Sequence, residues 1–97
     1  TKKVELISDK AYDQVLIFNR GKFIFVFNFN PFTSFTDYGF ECKKGEYKII
    51  LNSDDETYIG HNRIDNDSVY KSYKDGNKNY LKLYIPTRTC YVLEKIS

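Results

Sequence analysis

The sequence predicts an all-β fold, an antiparallel β-sandwich of about seven strands. Three observations carry that expectation. Short runs rich in β-branched and aromatic residues recur along the chain, each closed by a turn signal. The stretch Tyr80 to Ile85 alternates, with Leu81, Leu83 and Ile85 on one side and Tyr80, Lys82 and Tyr84 on the other. No segment sustains the 3.6-residue period of an amphipathic helix.

Residues 1–13 carry weak signals and read as a lead-in or linker from a preceding domain. Lys2, Lys3, Asp9, Lys10 and Asp13 suit a solvated stretch, with Val4, Leu6 and Ile7 available to tie it down. Residues 14–97 read as the β-domain. Val15 to Asn19 and Lys22 to Phe29 are two apolar runs joined by Arg20-Gly21, the signature of a hairpin. In the second run Phe23, Phe25, Phe27 and Phe29 share one face, and Lys22, Ile24, Val26 and Asn28 the other. Both faces are largely apolar, which predicts a central strand covered on both sides. Asn30-Pro31 breaks this strand, and Phe32 to Asp37 reads as a loop. Tyr38 to Cys42 is a short strand, Lys43-Lys44-Gly45 a turn, and Glu46 to Leu51 a return strand with Tyr47, Ile49 and Leu51 on one face. Asn52 to Asp67 is a long polar loop of the kind that is functional or packed on something. Val69 to Tyr73 is a strand and Asp75-Gly76-Asn77 a turn. Pro86-Thr87-Arg88 leads into a last strand, Thr89 to Ile96.

The 97 residues suffice for one domain. Nine Tyr and eight Phe supply the bulky apolar surface a small core needs. A net charge of +2 gives no argument for nucleic acid or an anionic membrane as partner. No apolar run approaches the roughly 18 residues of a membrane helix. Thr1-Lys2-Lys3-Val4 and the charges after it do not read as a signal peptide. Cys42 and Cys90 both fall in strands and are expected as free, buried thiols.

The chemistry of catalysis is thin. There is one histidine, His61, and no Gly-x-Ser-x-Gly elbow. Asp54, Asp55, Glu56, Asp65 and Asp67 cluster in a loop, where acidic residues form turns and solvated charge more often than a glycosidase pair. Asp65-Asn66-Asp67 opens like a calcium loop but lacks the glycine and glutamate at the required spacing. No catalytic residue, metal or cofactor is assigned. Gly21 to Phe27 superficially resembles the basic-aromatic strand of RNA- and cold-shock-type domains, but the apolar opposite face makes this phenylalanine row core. A carbohydrate surface is better supported. Sugar rings stack on aromatics, and Tyr80, Tyr84, Tyr58, Phe32 and Phe35 are available. Covering a sheet edge or packing on a neighbouring domain is the competing role for the same side chains.

Several stretches, in order, resemble one family. Asp13 to Gly21 resembles an acidic residue, an apolar strand and Arg-Gly. Phe25-Val26-Phe27-Asn28-Phe29-Asn30-Pro31 followed by Ser34-Phe35-Thr36-Asp37-Tyr38 resembles Phe-Asn-Phe-His-Pro and Ser-Tyr-Thr-Asp-Tyr. Gly45-Glu46-Tyr47-Lys48 with Leu51-Asn52-Ser53-Asp54-Asp55, then Gly60 to Asp65, then Tyr84-Ile85-Pro86-Thr87-Arg88-Thr89 complete the set. Together they resemble the C-terminal all-β domain of the 1,4-α-glucan (glycogen or starch) branching enzymes of the α-amylase superfamily, from about Asp9 onward. Asn30 stands where that family carries His, Tyr58 where it carries Phe, and Ile59-Gly60 where it carries paired Gly.

The resemblance implies a non-catalytic accessory domain that docks on a (β/α)8 barrel of the same chain, stabilises it and influences its choice of glucan. It implies catalytic carboxylates outside this chain, a cytoplasmic protein, and an α-glucan as the further partner. Candidate glucan or interdomain contacts are Tyr58, His61, Arg63, Tyr80 and Tyr84. Asp37, Asp54, Asp55, Asp65 and Arg88 are candidates for a loop network. Asp37 and Asp54 would bond loop amides, and Arg63 and Arg88 are candidates to pair with Asp54, Asp55 or Asp65. The alternative reading is a free-standing carbohydrate-binding module. A third is an aromatic-faced nucleic-acid binder.

Overall fold

The computed structural model describes residues 4–10, 13–53 and 67–97. Nine strands run through them: β1 (Val4–Lys10), β2 (Val15–Arg20), β3 (Phe23–Asn28), β4 (Phe35–Cys42), β5 (Glu46–Asn52), β6 (Val69–Lys71), β7 (Tyr73–Asp75), β8 (Lys78–Ile85) and β9 (Thr89–Lys95). They form a six-stranded sheet in the order β1-β2-β3-β9-β5-β6 and a three-stranded sheet in the order β4-β8-β7. Every pairing is antiparallel. The sandwich is the expected fold class. The extra strands have local causes.

Within the stretch expected as a lead-in, Val4–Lys10 forms an edge strand antiparallel to β2, with a register shift between Leu6 and Ser8. Its weak hydrophobic pattern does not announce the strand that pairs along β2. The run Val69 to Tyr73, expected as one strand, is two. β6 pairs with β5 in the large sheet and β7 pairs with β8 in the small one. Ser72 stands at the crossing. Its amide donates to the Gly45 carbonyl at 2.9 Å, and the Gly45 amide donates to the Ser72 hydroxyl at 2.9 Å. Gly45 fits because of crowding: its φ is 156°, and a Cβ there would collide with the Ser97 carbonyl oxygen.

The β2–β3 hairpin turns on Gly21-Lys22, since Arg20 pairs with Phe23. Gly21 has φ 62°, the position where a two-residue II′ turn takes glycine. The inner faces meet as expected from the alternation. Val15, Ile17, Ile24, Val26, Tyr47, Ile49, Tyr91 and Leu93 come from the large sheet, and Tyr38, Phe40, Leu81, Leu83 and Ile85 from the small one. Leu51 is the exception. A register shift between Ile49 and Leu51 inserts an extra residue, so Ile50 and Leu51 both turn outward and Asn52 takes the buried position.

Asn28 closes one end of the sandwich. Its side-chain amide donates to the carbonyls of Thr33 (3.1 Å), Ile85 (3.2 Å) and Pro86 (3.0 Å), and its Oδ1 accepts the Asn30 amide at 2.9 Å. Asn30 in turn accepts from the amides of Phe32 and Thr33. Two chain reversals, one after β3 and one after β8, are thereby pinned to one buried side chain. Buried backbone carbonyls need such a partner.

Candidate docking face and aromatic platform

The two sheets cover only each other's inner faces, so each presents an outer face with its own chemistry. On the large sheet the outward residues are Leu16 and Phe18 on β2, Phe23, Phe25 and Phe27 on β3, Cys90 and Val92 on β9, and Leu51 on β5. Antiparallel register aligns them into rows. Phe18 faces Phe25, Phe25 faces Val92, and Val92 faces Leu51; Leu16 faces Phe27 and Phe27 faces Cys90. The rings stack into a ladder. Phe18 lies 4.9 Å from Phe25 at 13°, Phe18 lies 5.7 Å from Phe27 at 16°, and Phe27 lies 5.7 Å from Phe29 at 7°. Period-two spacing in one strand and cross-strand pairing with the next suffice to build it.

This is not a closed core layer. Phe29 is 60% exposed and Leu51 51%. Two concavities of about 500 Å³ indent the face, one around Phe27, Phe29, Arg88 and Cys90, the other around Arg20, Phe23 and Phe25. At one end of the face Lys22 pairs with Glu94 at 2.8 Å and lies 5.6 Å from the Phe23 ring centroid. A contiguous apolar face with a charged rim has the composition of an interface. The sequence expectation that β3 is covered on both sides thus meets a difference: the small sheet covers Ile24 and Val26, and the phenylalanine side faces away from it.

The outer face of the small sheet is polar and aromatic. Tyr80, Lys82 and Tyr84 point outward from β8 as the alternation predicts, while Leu81, Leu83 and Ile85 are buried. Tyr73 joins them from β7, opposite Tyr80. The two rings sit 5.9 Å apart at 32°, and the Lys82 ammonium lies 5.2 Å from the Tyr73 ring centroid. Sequence reasoning missed Tyr73 because Val69 to Tyr73 reads as one strand, whereas the structure gives Tyr73 to a separate strand, β7, of the small sheet.

The remaining expected residues are distributed. Asp37 is exposed, with φ 51°, at the irregularity of β4 between Phe35 and Tyr38. Arg88 is exposed, with φ 52°, in the β8–β9 connection. Tyr58, His61, Arg63, Asp54, Asp55 and Asp65 lie outside the described residues. Cys42 and Cys90 are both free, and both are half-buried rather than buried. Burial raises the Cys42 thiol above its ordinary pKa, against a hydrogen bond with Tyr47 that lowers it. Cys90 is part of the outer apolar face, opposite Phe27. Among the described residues no three His, Cys, Asp or Glu side chains gather into a metal-binding group.

Two antiparallel sheets packed face to face, one with an apolar outer face and one with a polar, aromatic outer face, define a small all-β sandwich domain. The chain belongs to the family described as alpha amylase, C-terminal all-beta domain, which it matches over residues 6–96. Its relatives include the 1,4-alpha-glucan-branching enzymes of Eremothecium gossypii, 42% identical over 88 residues, and Saccharomyces cerevisiae, 42% identical over 85 residues. The first match covers 86% of this chain and the second 84%. The 1,4-alpha-glucan-branching enzyme 2-2, chloroplastic/amyloplastic, of Arabidopsis thaliana is 40% identical over 97 residues, covering 95% of this chain. In all three cases the chain spans 12% of the relative's length.

Proposed function

We propose that this domain is the non-catalytic C-terminal part of a 1,4-α-glucan branching enzyme and that it seats on the catalytic body of the same polypeptide through its phenylalanine face. The observation that carries the docking is the ladder Phe18, Phe25, Phe27 and Phe29 standing outward with its end exposed. Water does not hold such a row apart from a partner without penalty: each large apolar side chain left exposed forgoes about 1.5–3 kcal/mol of burial. The occupant is argued from the relatives, in which a segment like this one accompanies a chain about eight times its length. A free-standing carbohydrate-binding module would have no use for this face. The reaction itself, transfer of an α-1,4 segment to an α-1,6 branch, falls to the catalytic body; the domain contributes rigidity and placement.

The test uses the full-length protein. Wild type is expected to branch amylose, and Phe25→Ser with Phe27→Ser is expected to lower its melting temperature by several degrees and to expose the junction before the domain to protease. A native protein of about 11.5 kDa, or a double variant that melts and branches like wild type, would refute the docking.

A further inference from the structure

We infer that the surface covering the phenylalanine face is acidic where it meets the β2–β3 hairpin end, with at least two carboxylates set to receive Arg20 and Lys48. This rests on the reading that the catalytic body of the same polypeptide covers the face, and adds the chemistry that body presents there.

Antiparallel register sets a row across the large sheet. Arg20 of β2 faces Phe23 of β3, Phe23 faces Glu94 of β9, Glu94 faces Lys48 of β5, and Lys48 faces Val69 of β6. Directly opposed residues share a face, so Arg20, Glu94 and Lys48 stand on the same side as Phe23. Lys22 joins them from the hairpin turn through its 2.8 Å pair with Glu94. Glu46, two residues along β5 from Lys48, is on the same side. It lies 3.6 Å from the Lys71 ammonium and accepts the Ser97 hydroxyl at 3.1 Å. Four cations, Arg20, Lys22, Lys48 and Lys71, thus meet two carboxylates, Glu94 and Glu46. Lys22 and Lys71 engage both carboxylates. Among the described residues no ion pair engages Arg20 or Lys48, and both are exposed.

Docking makes these two cations expensive to leave alone. Arg20 lines one concavity together with Phe23 and Phe25, so covering those rings takes water from its guanidinium. Lys48 stands one strand in from the sheet edge, beside exposed Val69. A charge that loses water without gaining a partner opposes association. Arg20 and Lys48 are three strand spacings apart, about 14 Å. That exceeds the roughly 10 Å over which charges act through 0.1 M salt, so one carboxylate cannot serve both. At the Arg20 end the concavity takes an apolar side chain, with a carboxylate beside it receiving two bonds from the planar guanidinium fork. At the Lys48 end the ammonium needs only a point charge. The apolar rows supply the contact area, and the charged row steers the encounter and rejects a basic surface.

The experiment is zero-length carbodiimide cross-linking of the full-length protein, read by peptide mass spectrometry. The reagent joins a lysine amine to a carboxylate in contact with it, and the Lys22–Glu94 pair at 2.8 Å is the internal control. Lys48 is expected to couple to an aspartate or glutamate of the catalytic body, in protein that migrates as a single chain. Lys48→Arg should lose that product and keep the control product. In a second measurement, Arg20→Glu with Lys48→Glu should speed proteolysis at the junction before the domain by about fivefold, the worth of two rim pairs. The excess should fall below about twofold in roughly 0.5 M salt, and Arg20→Lys with Lys48→Arg should be cut like wild type. The acidic edge is overturned if the control product forms while Lys48 couples only within the domain, to a second copy, or not at all. It is overturned too if the charge reversal leaves the junction as resistant as wild type, or acts only by abolishing flotation with phosphatidylserine vesicles. If Phe25→Ser with Phe27→Ser loosens the junction and the charge reversal does not, docking stands without the acidic edge. If Lys48 couples to the catalytic body while that phenylalanine variant is cut like wild type, the acidic partner stands and the phenylalanine seat fails.

Discussion

Phe18 and Phe25 stack 4.9 Å apart, nearly parallel at 13°, on the side of the large sheet that faces away from the core. Stacked rings gain about 0.5–1.5 kcal/mol beyond their buried area, which orders the face even before it meets a partner. A pre-ordered apolar surface associates with whatever apolar surface is nearest. The 97-residue domain alone is therefore expected to self-associate in sedimentation velocity at micromolar concentration. Phe29→Lys with Leu51→Lys, placed at exposed positions on that face, should restore a monomer. Self-association unchanged by the double variant would show that a different surface is responsible.

Most of the strands and the core are legible from alternation, whereas β1 and the split of β6 from β7 are not. Leu81, Leu83 and Ile85 are buried and Lys82 and Tyr84 exposed because β8 is a regular strand with one face on the core. Leu51 reads as inward from its spacing to Tyr47 and Ile49, yet it is outward. A bulge changes the count without changing the composition. Phe23 to Phe29 shows two apolar faces in the sequence, but which of them a second sheet covers depends on non-local topology. The split of Val69 to Tyr73 between the two sheets at Ser72 is likewise a matter of tertiary topology, although the Tyr73–Tyr80 pairing itself is a local hairpin. The expected loop network fares differently again, since most of its members lie outside the described residues.

Asn28 is the side chain most sensitive to substitution. Its carboxamide faces the carbonyls of Thr33, Ile85 and Pro86 while accepting from the Asn30 amide. Asn28→Ala leaves those carbonyls without this donor and should cost about 2–4 kcal/mol, read from urea unfolding. Asn28→Asp should be worse at neutral pH, because an ionised carboxylate would face three carbonyl oxygens. That setting raises the new group's pKa above its unfolded value, so the aspartate variant should gain stability as pH falls toward 4. A variant equally stable at both pH values would show that the site relaxes to admit water.

Tyr91 and Tyr47 set the alkaline limit. Burial pushes the Tyr91 phenol well above its ordinary pKa, with Tyr70 adding to the effect. Burial does the same for Tyr47, with Cys42 as the next contributor. Both phenols are protonated in the folded and the unfolded chain below about pH 10. Above it the unfolded chain releases protons that the fold retains, so stability should fall as pH rises past that value. In a tyrosinate absorbance titration of the nine tyrosines, these two should ionise only together with unfolding. Tyr91→Phe should soften the alkaline loss. At neutral pH it should cost about 1 kcal/mol, through the lost bond to the Tyr84 carbonyl at 3.3 Å. Full ionisation of all nine with the fold intact would contradict the burial of both.

Arg88 holds a left-handed backbone, φ 52°, in the three-residue connection between β8 and β9. A non-glycine residue there carries strain of about 1 kcal/mol or more and persists when its side chain or surroundings favour the arrangement. Glycine would relieve the strain and delete the guanidinium in one step. If Arg88 does no more than occupy a turn, Arg88→Gly should raise the melting temperature. The proposed pairing of Arg88 with the acidic residues Asp54, Asp55 or Asp65 predicts the opposite sign: a fall in stability that shrinks as salt is added, because an exposed pair is screened. Arg88→Lys keeps the charge and the strain but loses the planar fork, so it should fall between wild type and the glycine variant. The sign of the glycine effect decides whether the network exists, since strain relief and pair loss push the melting temperature in opposite directions.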